Sequence, residues 1–280
     1  MQKLKLLDLF SGIGGFSLGL ERSGGFETVA FCEIEDYPRK VLARHWPEVP
    51  CYEDVRQLNA EQLAADGIEV DAICGGFPCQ DISLAGKQAG IEAERSGLWG
   101  EFARLIGELR PTVVFVENVS AILSNGMGRV LGDLSALGYD AEWEIIRASD
   151  IGAWHHRARM WLVAYPNGPR EPQSQGRLGY VRRWVSDSCQ DAPSSDANGI
   201  DAQGKQSGFA DEKKRPGQDA RQAGPLRSSD RGQWSTEPNV GRVANGVPNR
   251  THRLKGLGNA VVPQIPEILG KAWMEAQNAD

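Results

Sequence analysis

Cys79 stands at the end of Gly75-Gly76-Phe77-Pro78, and this is the first setting in the chain where side-chain chemistry could be done. The apolar run Val70-Asp71-Ala72-Ile73-Cys74 before it reads as a short buried strand. Two glycines then let the backbone turn tightly and come close to a ligand. Pro78 fixes its own φ and biases Phe77 to an extended shape. Cys79 is therefore expected on a rigid loop at the carboxyl end of a strand, where open α/β sheets place their ligands. Most free cysteines are small buried hydrophobes. A cysteine on such a loop is instead a candidate nucleophile.

A second strand end repeats this logic. Val113-Val114-Phe115-Val116 reads as a buried strand running into Glu117-Asn118-Val119. Adjacent parallel strands lie about 4.8 Å apart, so Cys79 and Glu117 can line one pocket. A thiol beside an acid suits attack on an electron-poor ring whose nitrogen must be held or protonated. Glu117 as an ordinary exposed strand-end acid is the competing reading. His155-His156-Arg157-Ala158-Arg159 precedes the last strand. Side-chain alternation puts Arg157 and Arg159 on one side, able to bind a phosphate, a base carbonyl or Glu117. The paired histidines have no third ligand at a recognisable spacing, so no metal site is expected.

A third constellation lies near the N-terminus. Phe10-Ser11-Gly12-Ile13-Gly14-Gly15-Phe16 is a glycine-rich turn between a strand and a helix, close to the dinucleotide fingerprint without matching it. Glu33 ends the second strand, about 20 residues on, where a carboxylate can accept both hydroxyls of a ribose. Asp54, after a third strand, could accept from an adenine amino group. These features fit an adenosine-containing cofactor; a plain glycine turn and a loop acid are the alternatives.

The elements that must position these residues alternate. Strands are expected at Leu4 to Leu9, Thr28 to Cys32, Cys51 to Val55, Val70 to Cys74, Val113 to Val116, Glu142 to Arg147 and Met160 to Ala164. Helices are expected at Ser17 to Arg22, Asp36 to Trp46 with Asp36 as cap, Asn59 to Ala65, Leu98 to Leu109, Met127 to Leu137 and Pro266 to about Glu275. Such alternation predicts an α/β fold, a mostly parallel sheet with helices on both faces. From about Tyr165 the pattern fails. Asn167 to Gly241 is rich in Gly, Ser, Gln, Asp, Pro and Arg and cannot bury much apolar surface alone. Its aromatics Tyr180, Trp184, Phe209 and Trp234 could anchor a small core or stack on bases, and the core is favoured. Order is expected again from Gly256.

At 280 residues the chain suits one large α/β domain with a smaller appendage. No apolar run approaches the ~20 residues of a membrane span. The opening Met1-Gln2-Lys3-Leu4-Lys5 leads straight into a strand pattern, which predicts no signal peptide. The cysteines Cys32, Cys51, Cys74, Cys79 and Cys189 form neither a zinc pattern nor a disulfide framework, as expected of a reducing cytoplasm. The net charge of −6 is unevenly spread. Residues 166–255 hold 15 Lys and Arg against 10 Asp and Glu, a balance of +5, while the remainder balances at −11. An acidic body with a basic segment fits a nucleic-acid partner, and also a solvated loop without one.

Taken in series, these motifs resemble the DNA cytosine-C5 methyltransferases, of bacterial or phage type. Asp8-Leu9-Phe10-Ser11-Gly12-x-Gly14-Gly15, Glu33, Asp54-Val55, Phe77-Pro78-Cys79-Gln80, Glu117-Asn118-Val119, Arg157-x-Arg159 and Gly258-Asn259-Ala260-Val261-Val262-Pro263 follow in that family's order. The resemblance covers Leu4 to about Ala164 and Arg253 to Ala276. It implies a Rossmann-like S-adenosylmethionine-dependent fold with a small irregular target-recognition region. It divides the chain into a catalytic and cofactor-binding domain (1–165), a target-recognition region with room for disordered parts (166–250) and a C-terminal segment packing back on the catalytic domain (251–280). By the same resemblance Cys79 adds to C6 of a cytosine flipped out of duplex DNA. Glu117 holds or protonates N3, and Arg159 with Arg157 orients base and carboxylate. S-adenosylmethionine would contact Phe10, Gly12, Ile13, Gly14, Glu33, Ile34, Asp54, Val55, Pro78, Leu98, Asn259 and Ala260. Trp154 and His155 stand where that family has a proline and a glutamine.

A monomer is expected, and a cognate restriction enzyme, phage self-protection and stand-alone gene control all fit this catalytic body. A non-catalytic DNA-binding relative and an RNA methylase acting on tRNA are the alternatives; intact Cys79, Glu117 and Arg159 weigh against the first. A nicotinamide-dependent Rossmann enzyme fits Gly12 and Glu33 but not Cys79 beside Glu117.

Overall fold

Leu4–Leu9 forms the first strand, β1, with Leu6, Leu7 and Leu9 wholly buried. In the computed structural model, which describes residues 2–78, 97–124, 126–168 and 250–278, thirteen further elements follow. They are α1 (Gly15–Arg22), β2 (Phe26–Cys32), α2 (Asp36–His45), β3 (Cys51–Tyr52), α3 (Ala60–Ala65), β4 (Ala72–Gly75), α4 (Gly97–Leu109), β5 (Val113–Val119), α5 (Met127–Ala136), β6 (Tyr139–Arg147), β7 (Ala158–Pro166), α6 (Arg250–Asn259) and α7 (Gln264–Asn278). Short 3₁₀ turns at Ser120–Leu123 and Ala148–Ile151 follow β5 and β6. Cys79 and nearly all of the expected target-recognition region, with its four aromatics, lie outside the described residues.

The strands form one sheet in the order β3-β2-β1-β4-β5-β7-β6. Pairing is parallel from β3 to β5, whereas β7 runs antiparallel to both β5 and β6. β6 and β7 are joined by a ten-residue connection without an α-helix, residues 148–157, which is why they can pair as antiparallel neighbours. The chain switches direction across the sheet between β1 and β4, so a crevice opens at their carboxyl ends.

Both faces of the sheet are covered. On one face Leu7, Leu9, Ile73, Val114, Val116 and Leu162 meet Phe102, Leu105 and Ile106 of α4 and Val130 and Leu134 of α5. On the other, Leu6, Cys74, Phe115 and Trp161 meet Phe16 and Leu20 of α1 and Ile265, Leu269 and Trp273 of α7. Burial on both sides explains why β4 and the Val113–Val116 part of β5 read as unbroken apolar runs.

Several local expectations differ from the structure. Asp36 is not the cap of α2. Glu35 occupies that position without a side-chain cap bond, and Asp36 instead accepts from Lys40 Nζ at 2.9 Å, one helical turn on. The third strand stops at Tyr52 instead of reaching Val55. The Asp54 carbonyl accepts from Gln57 N and Leu58 N, which turns the chain and sends Val55 into the core. α6 was not expected, since its sequence carries Gly256 and Gly258 and no apolar stripe. No described helix is long and apolar enough to cross a membrane.

Candidate active site

The loop after β4 is fixed by what surrounds it. A Cβ on Gly75 would lie 2.4 Å from the Leu9 carbonyl and 2.9 Å from the Phe102 ring, so no side chain fits there. A Cβ on Gly76 would lie 2.8 Å from Glu117 Oε2, so this loop backbone runs against the Glu117 carboxylate. Phe77 is buried with its ring centroid 5.3 Å from that of Trp99. Asn118 Nδ2 donates to the Phe77 carbonyl at 3.1 Å, and Asn118 Oδ1 accepts from Val119 N at 2.9 Å. Pro78 is exposed at the end of this path.

Glu117 and Arg159 are brought together by strand register. Glu117 lies opposite Trp161, and Arg159 opposite Val119. Arg159 is therefore the diagonal neighbour of Glu117 on the same face, within reach of a long side chain. Its Nε donates to Glu117 Oε1 at 2.9 Å, and both side chains are largely buried. Burial pushes the Glu117 carboxyl above the usual range, although Arg159 and Arg157 pull it down. The site thus holds a buried acid, less readily ionised than one in water, oriented by a guanidinium.

Arg157 does not join Arg159 at the carboxylate. It precedes β7 and has a φ of +30°, so the alternation expected of a strand does not extend to it. Its Nη1 donates to the Gly258 carbonyl and its Nη2 to the Ala260 carbonyl, both at 2.8 Å. Burial, and then Arg159, pull its pKa below the usual arginine range.

The glycine-rich turn lines a cleft at the carboxyl ends of β1 and β4, together with Glu117, Asn259, Ala260 and Val261. Phe10 and Gly12 both have a φ of +54°, and Gly14 a φ of +83°. A Cβ on Gly12 would meet nothing within 4 Å, so open space reaches the backbone there. One on Gly14 would lie 2.6 Å from the Trp46 ring. Phe10 stacks on Phe102 with centroids 6.3 Å apart. Glu33, buried at the end of β2, accepts from Gly12 N at 2.8 Å through Oε2 and from Glu35 N at 2.7 Å through Oε1. Each carboxylate oxygen has two acceptor sites, so one on each oxygen is left for paired ribose hydroxyls. Ile34 beside it is 60% exposed, an apolar surface ready to cover a flat ring. Ile13 and Leu98 are half-buried, and Val55 is core. Asp54 has a partner that the sequence did not suggest. Arg56 Nε and Nη2 donate to it at 2.9 and 2.7 Å and hold its carboxyl below the usual range, so an adenine amino group would compete with an exposed guanidinium.

Three contributions were missed in the sequence. Asp8 lies beneath the turn, 1% exposed, with Oδ2 accepting from Ser17 Oγ at 2.7 Å and Oδ1 buried without a hydrogen-bond partner. Burial pushes its carboxyl up to about 7, against the downward pull of the Ser17 hydroxyl. Asn118 ties β5 to the Phe77 loop. Gly15 and Gly19 on α1 admit the C-terminal segment, since a Cβ there would lie 2.6 Å from the Val261 carbonyl and 2.1 Å from the Pro263 carbonyl. Small size at two α1 positions one turn apart was the available signal, and it needs the packing partner to be read.

Comparison with known proteins matches this geometry to one group. The sequence profile described as C-5 cytosine-specific DNA methylase matches residues 4–219. The type II methyltransferase M.HhaI of Haemophilus parahaemolyticus is 35% identical over 168 residues, 59% of this chain and 50% of that protein. M.CviJI of Paramecium bursaria Chlorella virus IL3A, also a type II methyltransferase, is 36% identical over 163 residues, 57% of this chain and 42% of that protein. The chain thus spans half or less of the length of these relatives. A prophage-encoded E. coli protein assigned to the DNA modification methyltransferases superposes with a TM-score of 0.51 at 32% identity, covering 59% of this chain and 47% of that one. A Spodoptera frugiperda DNMT2 mutant superposes at 0.52 with 22% identity over 61% of this chain and 53% of that one, a likeness of fold.

Proposed function

The chain belongs to the family of C-5 cytosine-specific DNA methylases, and we propose that it methylates C5 of a cytosine in duplex DNA, with S-adenosylmethionine as the methyl donor and Cys79 as the nucleophile. The observation that carries this reading is the buried Glu117–Arg159 pair pressed against the backbone of Gly76, three residues before Cys79. A buried carboxyl, less readily ionised than one in water, beside a guanidinium suits a ring nitrogen that gains charge as its neighbour is attacked.

In this reading the Cys79 thiolate bonds to C6 while Glu117 gives or shares a proton at N3. Arg159 fixes the carboxyl against rotation, so the proton is presented in one direction. C5 then carries the electron density that accepts the methyl group. Loss of the C5 proton to water expels Cys79 Sγ from C6, and return of the N3 proton to Glu117 restores the neutral ring. C5 and C6 lie within the base stack of a duplex, so the cytosine must be extruded to meet these groups. S-adenosylmethionine supplies an electrophilic methyl group when bound. Glu33 with its two free acceptor sites, the open backbone at Gly12, Phe10 and exposed Ile34 are the residues that would hold its adenosine. The basic balance of residues 166–255 supports their assignment to phosphate contact and target selection.

The test is transfer of label from tritiated S-adenosylmethionine to a cytosine-containing duplex, with Cys79→Ala in parallel. Transfer by the native chain and none by the variant is expected. Robust transfer by Cys79→Ala overturns the covalent route, and no transfer by the native chain across varied duplexes overturns the activity. Competition between duplex DNA and tRNA separates DNA from RNA as substrate.

A further inference from the structure

Arg157 lies next to the Glu117–Arg159 pair in sequence, yet its donors point to the far end of the chain. The Gly258 carbonyl belongs to the last turn of α6, where carbonyls have no partner within the helix. The Ala260 carbonyl follows directly after it. One guanidinium therefore caps the carboxyl end of α6, where a cation is also favoured by the helix dipole. Two carbonyls two residues apart are matched by the fixed fork of an arginine and less well by a lysine.

The helix thus capped is weak by itself. It is ten residues long with two glycines, near the length at which isolated helices are marginal. Among the described residues it is also tied by Lys255 Nζ on Glu35 Oε1 at 2.5 Å, an exposed pair of little worth, and Gly256 packs beside Ile13 and Tyr37. Yet its end delivers Asn259 and Ala260 to the cleft that also holds the glycine-rich turn. We propose that Arg157 is a positioning residue for the cofactor side of the site: its guanidinium pins residues 258–260 as a wall of the cleft, while the base chemistry rests on Glu117 and Arg159. This rests on the reading of that cleft as the S-adenosylmethionine site.

Calorimetric binding of S-adenosylhomocysteine to the full chain tests the assignment without any turnover. Arg157→Ala and Arg157→Gln are expected to raise the Kd about tenfold or more, the worth of one charge-assisted hydrogen bond. Arg157→Lys should fall between these and the native chain. At saturating cofactor the transfer rate of the three variants should stay within about threefold of native. Arg159→Ala should show the reverse, a native Kd and a collapsed rate. A coincident thermal melt of Arg157→Gln and native chain keeps the comparison free of global unfolding. A native Kd in Arg157→Gln and Arg157→Lys, with loss confined to rate or to the KM for DNA, overturns the proposal and returns Arg157 to the base. Absence of binding by the native chain would instead overturn the cofactor reading on which it stands.

Discussion

Gly76→Ala is a one-carbon perturbation aimed at the Glu117 carboxyl, which we propose acts on the base. The backbone at Gly76 does not have the positive φ that would exclude alanine. Its added Cβ would lie 2.8 Å from Glu117 Oε2, with the Glu117 carbonyl next at 3.6 Å. Ordinary contact begins at 3.4 Å, so the carboxylate must retreat by about 0.6 Å. The carboxylate is the movable end of a side chain, and the retreat draws Oε1 away from Arg159 Nε, now at 2.9 Å. A misplacement of ~1 Å at a reacting group costs roughly 100-fold. We therefore expect kcat to fall about 10- to 100-fold, or about 1.4–2.7 kcal/mol in barrier. Stability should hardly change, with Tm within about 2 °C of native, because no backbone is displaced. S-adenosylhomocysteine affinity should also be unchanged. The assay is transfer of tritiated methyl to duplex DNA at saturating cofactor, beside a thermal melt. A native kcat in Gly76→Ala would refute the placing of Glu117 at the reacting ring.

Three further outcomes follow from the same geometry. Asp8 has its pKa raised to about 7 by burial, above an unfolded value near 3.9, so the native state holds the proton more tightly. Its contribution is complete below the unfolded pKa and is lost as pH rises through about 7; between pH 8 and 6 the native chain should gain about 1.4 kcal/mol over Asp8→Asn in denaturant melts, and parallel pH profiles would rule the buried acid out. In Gly19→Ala the new Cβ would meet the Pro263 carbonyl at 2.1 Å; two backbones must part, and a loss of about 1–3 kcal/mol with weakened cofactor binding is expected, whereas a native melt would count against this packing. Asn118→Ala removes the donor to the Phe77 carbonyl and should lower the transfer rate about tenfold while leaving the S-adenosylhomocysteine Kd alone, since one buried hydrogen bond to the loop that leads to Cys79, the proposed nucleophile, is lost; an unchanged rate would show that the loop is held by Phe77 packing instead.

What the sequence disclosed depended on the range of the forces involved. β1 was read to the residue, and α4 to within one, because burial on two faces or on one stripe writes itself into the local pattern. The alternation of strands and helices disclosed the sheet. Glu117, Gly76 and the glycine-rich turn were legible as strand-end residues, since loops at the carboxyl edge follow from alternation alone. Asp36 was misjudged because a side chain free to cap α2 is equally free to pair with Lys40 one turn on. α6 was invisible because its own sequence, with two glycines and no apolar stripe, does not signal a helix, and the guanidinium at its end lies about a hundred residues upstream.

The two arginines show where local reading ends. Alternation treats Arg157 and Arg159 as equals, but the strand begins at Ala158 and only Arg159 is governed by register. Register makes Arg159 a diagonal neighbour of Glu117; the positive φ of Arg157 frees its side chain from the strand and turns it to the C-terminal segment. That difference divides the labour of the site. One guanidinium orients an acid supplied by the neighbouring strand. The other gathers a wall from residues 258–260, which no periodicity in the first 168 residues could foretell. Two residues apart in sequence, they join the strand that carries the acid to the segment that closes the cleft, so the two halves of the site share one short stretch of backbone and must assemble together.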